Sequence, residues 1–334
     1  MTFSSKLMVA GFSCMLTTAT FAAEKISIMV AGIEKQIYLP VKLAEQLGYF
    51  AESGLDIEFL TDRNGNNAET ELLSGSVQGV VGFYDHTINL QARGKLVKSV
   101  IQLTQTPGEA LLVSEKASKE ITSIAQLKGN SVGVTGLGSS TYTIFRFLAQ
   151  KSGLKRSAIN VLPVGAGDNF IAALMQGRIQ AGISTEPTIS RLTSTGRAKI
   201  LLDLRGIKET RAAFGGSYPA ACLYMPNAWI VSHRSEVQKI VTALGKALAY
   251  IQTHSAQEIS EQMPVEFFAN DKENYVLALK NGKEMYTADG IMPEGGPSTV
   301  LSVLQDFDKN VQGKSINLQN TFTNEFASST MKCN

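Results

Sequence analysis

The chain has 334 residues, with 31 Lys plus Arg against 29 Asp plus Glu, three histidines and 7% aromatic residues. That length allows two domains of ordinary size. The balanced charge, without any block of like charges, gives no sign of a nucleic-acid partner or of an interaction tail.

Lys6, the apolar run Leu7 to Leu16 and the small residues of TTATFAA (Thr17 to Ala23) read together as an export signal cleaved near Ala22 or Ala23. The run is far shorter than the roughly 20 residues that span a bilayer, and no later stretch qualifies. Cys14 lacks a leucine three positions before it and hydrophobic residues continue past it, so a soluble exported product is expected rather than a lipoprotein. Residues 1–22 are therefore set apart from the fold. Cys222 and Cys333 remain in a compartment where disulfides persist. Either they bridge, or one is a buried thiol and the other a thiol near the C-terminus.

Two segments share one order of strand, helix, strand, helix, strand. In the first, Ile26 to Ala31 is a β-branched strand, and after Gly32 a helix carries Leu39, Leu43 and Leu47 on one face with Pro40 in its first turn. Gly48 stops it. Asp56 to Leu60 is the second strand, Asn67 to Ser74 the second helix and Val77 to Phe83 the third strand. The second segment repeats the order: strand Ser131 to Thr135, helix Thr141 to Lys151, strand Ile159 to Val164, helix Asn169 to Met175, strand Ile179 to Ser184. ELLSGSVQGVVG from Glu71 and ALMQGRIQAGIS from Ala173 align without a gap, matching Gly75 to Gly177 and Gln78 to Gln180.

Helical crossovers make the strands parallel, with helices on both faces. Each segment is thus a small α/β lobe whose ligand crevice lies beyond the carboxyl ends of its strands. Two facing lobes make a cleft. The remainder is mainly helical: Glu236 to Ile251 and a last helix from Pro297 carry apolar residues at core-facing spacing. Ala110 to Ser114 and Ala220 to Val231 read as the two crossings between lobes.

GYFAESGLDIEFL at Gly48 to Leu60, ELLSGSVQGVVG, IAQLKGNSVGVTGLGSSTYTIF at Ile124 to Phe145 and YPAACLYMPNAWIVSHRSEVQKIVTALGKAL resemble the substrate-binding subunits of ABC importers in the sulfonate, nitrate and thiamine-precursor (SsuA/THI5-like, NMT1) group. The resemblance covers nearly the whole mature chain. It implies the type II periplasmic-binding fold, a small-molecule ligand and an ABC permease as partner. Fungal pyrimidine-forming relatives carry a cysteine-rich motif that this sequence lacks.

GLGSST, Gly136 to Thr141, follows a strand and opens a helix, so Gly138, Ser139, Ser140 and Thr141 can offer hydroxyls and free N–H groups to an anion, or simply cap the helix. It lacks the lysine of a phosphate-binding loop. The matching point of the first lobe, GIEKQIY, places Gln36 and Tyr38 toward the cleft; Glu34 and Lys35 are equally a solvated surface pair, though Lys35 is the one cation near the expected cleft, against Asp85, Asp168 and Glu186. Asn66 or Asn67 caps a helix or meets the ligand. Tyr84, Asp85, His86 and Thr87 form a polar cluster at the end of the third strand. Asp168 and Asn169 open a helix, Asp168 as a cap. Glu186 either binds a cationic group or braces the hinge. Ser217 and Tyr218 in FGGSYP either close over the ligand or belong to a surface loop.

No HExxH, GxSxG or cysteine–histidine cluster accompanies His86, so a binding or structural role is expected of it. The expectation is an α/β type II periplasmic-binding fold of two lobes, 23–112 with 223–334 and 113–222, joined by two hinge crossings. It is a monomeric periplasmic protein without metal, cofactor or catalysis, delivering a small anionic organic solute, a sulfonate, carboxylate or heterocycle, to an ABC importer. The alternative is a periplasmic enzyme on the same fold, acting on a pyrimidine-like or aromatic molecule.

Overall fold

The computed structural model describes residues 25–62 and 65–330. The predicted export signal, Cys14 and Cys333 lie outside them.

Among the described residues ten strands form two sheets of five. The first contains β1 (Lys25–Val30), β2 (Asp56–Thr61), β3 (Gly79–Phe83), β4 (Val97–Gln102) and β10 (Ala221–Pro226), in the order β2-β1-β3-β10-β4. The second contains β5 (Glu109–Ser114), β6 (Ser131–Val134), β7 (Asn160–Pro163), β8 (Ala181–Thr185) and β9 (Ala198–Leu204), in the order β7-β6-β8-β5-β9. The two orders are the same pattern. In each, three parallel strands joined by helices are followed by one antiparallel strand borrowed from elsewhere in the chain.

Those borrowed strands correct the reading of the crossings. Ala110 to Ser114 lies within β5, which pairs with β8 and β9, and the apolar run from Ala220 becomes β10 and then a helix, Asn227–Ser232. An extended apolar segment looks alike whether it bridges lobes or fills a sheet, because its partners lie far off in sequence. The chain instead passes between sheets at 103–108 and at 215–220. There, the Thr104 hydroxyl accepts from the Ala221 amide at 2.9 Å, and Thr106 donates to the Arg205 carbonyl at 2.9 Å. The change of sheet therefore falls before residue 109, not after 112, and before Ala221.

The internal repeat has a structural cause. Gln78 accepts the Ser27 amide through its side chain at 2.8 Å and donates its own amide to the Ser27 carbonyl at 2.9 Å. Gln180 does the same to Ser131, at 3.0 and 2.9 Å. Each glutamine zips the entry of the third strand to the start of the first. Gly75 and Gly177 precede these turns at φ of 82° and 72°, a left-handed conformation that a β-carbon disfavours. The matched residues are those that the turn geometry requires.

Pro40 occupies the first turn of the helix Leu39–Gln46, where its missing N–H costs nothing. The helix Arg234–Thr253 buries Val237, Ile240, Val241, Leu244, Leu248 and Ile251 on one stripe and packs against Leu39–Gln46 and the C-terminal helix. The helix Gly296–Phe307 touches both Asp85–Ala92, which leaves the first sheet, and Ser140–Lys151, which leaves the second. Among the described residues no helix is long and apolar enough to cross a membrane. Cys222, without a disulfide among the described residues, is buried in β10, and burial pushes its thiol up to about 12.

Candidate functional site

The carboxyl ends of β1, β3, β6 and β8 converge where the sheets face each other, as expected for open parallel α/β units. Lys35 and Tyr38 follow β1, Phe83 ends β3, Thr135 and the loop to Ser140–Lys151 follow β6, and Thr185 ends β8. With Glu109 at the head of β5, they enclose a cavity of about 20 Å³ between the lobes. That is room for about one water molecule. An organic solute enters only if the walls part.

Most hydroxyls at the β6 end are committed to one another. Ser139 caps the Ser140–Lys151 helix, accepting from the Tyr142 amide at 3.4 Å and donating to the Gly136 carbonyl at 2.7 Å. Thr135 donates to Ser139 at 2.9 Å and lies 2.8 Å from Thr141, whose hydroxyl accepts the Thr135 amide at 2.9 Å. Gly138, at φ 86°, sharpens the turn but lines an outer hollow, not the cavity. Ser140 is the member that reaches across: it donates to Asp85 Oδ1 of the opposite lobe at 2.8 Å and lies 3.3 Å from His86 Nε2. Capping and cleft contact, alternatives in the sequence, are divided between adjacent serines.

His86 stands between cavity and outer hollow. Its Nδ1 lies 3.0 Å from Glu69 Oε1 and its Nε2 3.8 Å from Asp85 Oδ1. Burial raises the carboxyls of Asp85 and Glu69, and His86 lowers both, with Ser140 helping at Asp85 and Arg93 at Glu69. The outer hollow, about 470 Å³, is lined by Glu69, His86, Arg93, Tyr142, Arg156 and Phe307, among others.

Other predicted contacts lie elsewhere. Gln36 is buried, but its amide donates to the Glu186 carbonyl at 3.0 Å and its side chain to the Tyr275 carbonyl at 3.1 Å, outside the cavity lining. The Tyr84 hydroxyl bonds Thr321, and Thr87 donates to the Tyr84 carbonyl at 2.8 Å, so both knit the first lobe. Asn67 and Asn169 are exposed, Asn67 donating to Asp62 at 3.1 Å. Asp168 is exposed and pairs with Arg191 at 2.8 Å. Tyr218 is buried against Phe214 with ring centroids 4.4 Å apart, not in a surface loop. Glu186 is fully buried and bound to Arg205 at 2.5 Å and to Ser190 at 2.8 and 2.9 Å, so it braces the crossing and offers nothing to a ligand.

Lys35, left between surface and cleft by the sequence, lies at the cavity: it is only 7% exposed, and its Nζ donates to the Ala31 carbonyl at 2.6 Å. Glu109 and Thr135 were not singled out in the sequence, and Thr185 only as the residue between its strand and Glu186. The one signal for Glu109 was a carboxylate heading an otherwise apolar strand, EALLVS. Among the described residues no group of three or more His, Cys, Asp and Glu is placed to hold a metal.

A family model described as NMT1/THI5 like matches residues 37–258. A Bacillus subtilis protein named putative binding protein YtlA is 26% identical over 277 residues, 80% of this chain and 79% of its own. A Saccharomyces cerevisiae 4-amino-5-hydroxymethyl-2-methylpyrimidine phosphate synthase, THI13, is 27% identical over 236 residues, 69% of this chain and 68% of its own. Among solved structures, one of a Bordetella bronchiseptica protein is 33% identical, covering 92% of this chain and 97% of that one with a TM-score of 0.88. The alkanesulfonate-binding protein SsuA from Xanthomonas axonopodis pv. citri, solved with MOPS bound, superposes with a TM-score of 0.73 at 17% identity, covering 90% of this chain and 98% of that one.

Proposed function

The chain belongs to the NMT1/THI5-like family, and from that premise we propose that it is a solute-binding protein, which takes one small molecule between its lobes and passes it, unchanged, to an ABC permease. The observation that carries this reading is the cavity itself. Its walls come from both sheets, and a buried hydrogen bond from Ser140 to Asp85 joins them across the cleft. A site divided between two lobes and too small for its occupant must open to load and close to hold. YtlA's name and the fold shared with SsuA support the same reading. The reading of residues 1–22 as an export signal and the kinship with periplasmic binding proteins support a periplasmic place of action.

Ser140, His86 and Glu69 do lie in the order hydroxyl, imidazole, carboxylate, at 3.3 and 3.0 Å, and the fungal relatives are named as synthases. The shorter contact of the Ser140 hydroxyl is to Asp85 at 2.8 Å, which supports a binding role for it over that of a nucleophile activated by His86.

Native mass spectrometry of freshly isolated protein, followed by incubation and release, tests the assignment. One small molecule per chain, recovered with its mass unchanged, is the expected result. Recovery of a converted product would replace transport by catalysis.

A further inference from the structure

Glu109 is the least explained charge in the molecule. It is 1% exposed at the start of β5, where its backbone pairs with Thr185 in β8 and Leu204 in β9, and its side chain lines the cavity. Its Oε2 has no hydrogen-bond partner among the described residues. The Tyr218 hydroxyl, also buried and without a partner, lies within the electrostatic reach of Asp85 and Glu109. A buried carboxylate oxygen with no donor is costly, and native structures keep such a group where something else completes it.

Burial holds the Glu109 carboxyl well above the usual range, Asp85 pushes it further, and Lys35 offsets part of this. The sign follows. The folded value is raised above the ordinary 4.5, so the ligand-free protein loses stability as pH rises through the window above 4.5, where the unfolded chain has released the proton and the folded one has not. A cationic donor placed on Glu109 removes that penalty. An anion alone does not.

We propose that the cavity takes a solute bearing a protonated or N–H-donating nitrogen, which seats on Glu109 Oε2, with the rest of the molecule on Lys35 and the hydroxyls at the start of the Ser140–Lys151 helix. This rests on the solute-binding reading and narrows it. The expected anion becomes a molecule with two ends, one of them a nitrogen donor, because the partnerless Glu109 oxygen shares so small a space with Lys35 and His86.

Three measurements test it. The exact mass of any solute released from the freshly isolated protein gives its nitrogen content. Calorimetry with two matched pairs, 2-aminoethanesulfonate against ethanesulfonate and β-alanine against propionate, gives the preference of wild type and of Glu109→Gln. Urea unfolding of both proteins without ligand, between pH 5 and pH 8, shows that the variant folds and isolates the proton linkage. The inference expects a nitrogen-bearing solute, or an amino member bound at least tenfold more tightly than its partner, with that advantage lost in Glu109→Gln, and a fall of stability with pH that is steeper in wild type. A nitrogen-free solute, equal binding within both pairs, or a preference unchanged in Glu109→Gln overturns the inference and leaves solute binding intact. No released solute and no binding of any probe removes both.

Discussion

Replacing Arg205 by alanine is expected to destabilise the protein by about 3–5 kcal/mol, the cost of stripping one partner from a buried ion pair. Arg205 Nη1 lies 2.5 Å from Glu186 Oε1, and its other nitrogens hold Asp203 at 2.5 and 2.9 Å. Glu186 is fully buried, so the alanine variant leaves its charge facing only Ser190. Burial already raises the Glu186 carboxyl in the intact protein, Arg205 being one of the groups that lower it. Without Arg205 the carboxyl rises further and takes a proton at higher pH. The deficit is therefore largest at pH 8 and shrinks as pH falls through the raised value, since the neutral acid needs no counter-charge. Urea denaturation at pH 8 and pH 5 measures both quantities. A deficit below about 1 kcal/mol at pH 8 would show that water reaches Glu186 and that the pair is not structural. The consequence is not confined to stability: the Glu186 carbonyl accepts the Gln36 amide of the other lobe, so a loosened Glu186 also loosens the hinge side of the cleft.

The Ser140→Ala substitution acts on the cleft itself. It removes a buried hydrogen bond to a carboxylate, worth about 1.5–3 kcal/mol, from the closed arrangement only, because Ser140 and Asp85 belong to different lobes. At about 1.4 kcal/mol per decade, the equilibrium shifts toward open by roughly one to two orders of magnitude. Ligand affinity falls in proportion to the closed fraction when only the closed state holds the solute. Small-angle scattering should record a larger radius of gyration for the ligand-free variant, and calorimetry the weaker binding. Asp85→Asn keeps an acceptor and should fall between the two proteins. If scattering and affinity are both unchanged, Ser140 is a surface of the cleft and not its latch.

The sequence was most informative where a local rule acts. Helix faces, Pro40 and the strand rhythm depend on neighbours within a few residues, and the structure has each of them; the Gln78 and Gln180 echo was legible only as a repeat, since each glutamine bonds a serine 51 or 49 residues away. It was silent where partners are distant. Nothing in ALLVS or in ACLYMP tells a sheet's interior strand from a bridge, since β5 and β10 are antiparallel to strands drawn from other segments. The polar residues divided for the same reason. Ser139, Ser140 and Thr141 sit at a helix start fixed by their own loop and were found. Tyr84, Thr87 and Gln36 are equally polar, yet turn toward Thr321, their own turn and Tyr275, choices set by the C-terminal region. Lys35 and Glu109 show the converse, for a charge inside a cavity is indistinguishable in one dimension from a charge on a surface.

The placement of β10 also orders the birth of the protein. The second sheet is drawn from one unbroken stretch, residues 109–204, whereas the first waits for Ala221–Pro226 to enter between β3 and β4. Until residue 226 has been synthesised, β3 and β4 have no strand between them, and the first lobe cannot close its core. Pairings of such long sequence separation form late. The lobe that comes second in the chain is thus the first able to finish, and pulsed hydrogen exchange should find β6 and β8 protected before β1 and β3.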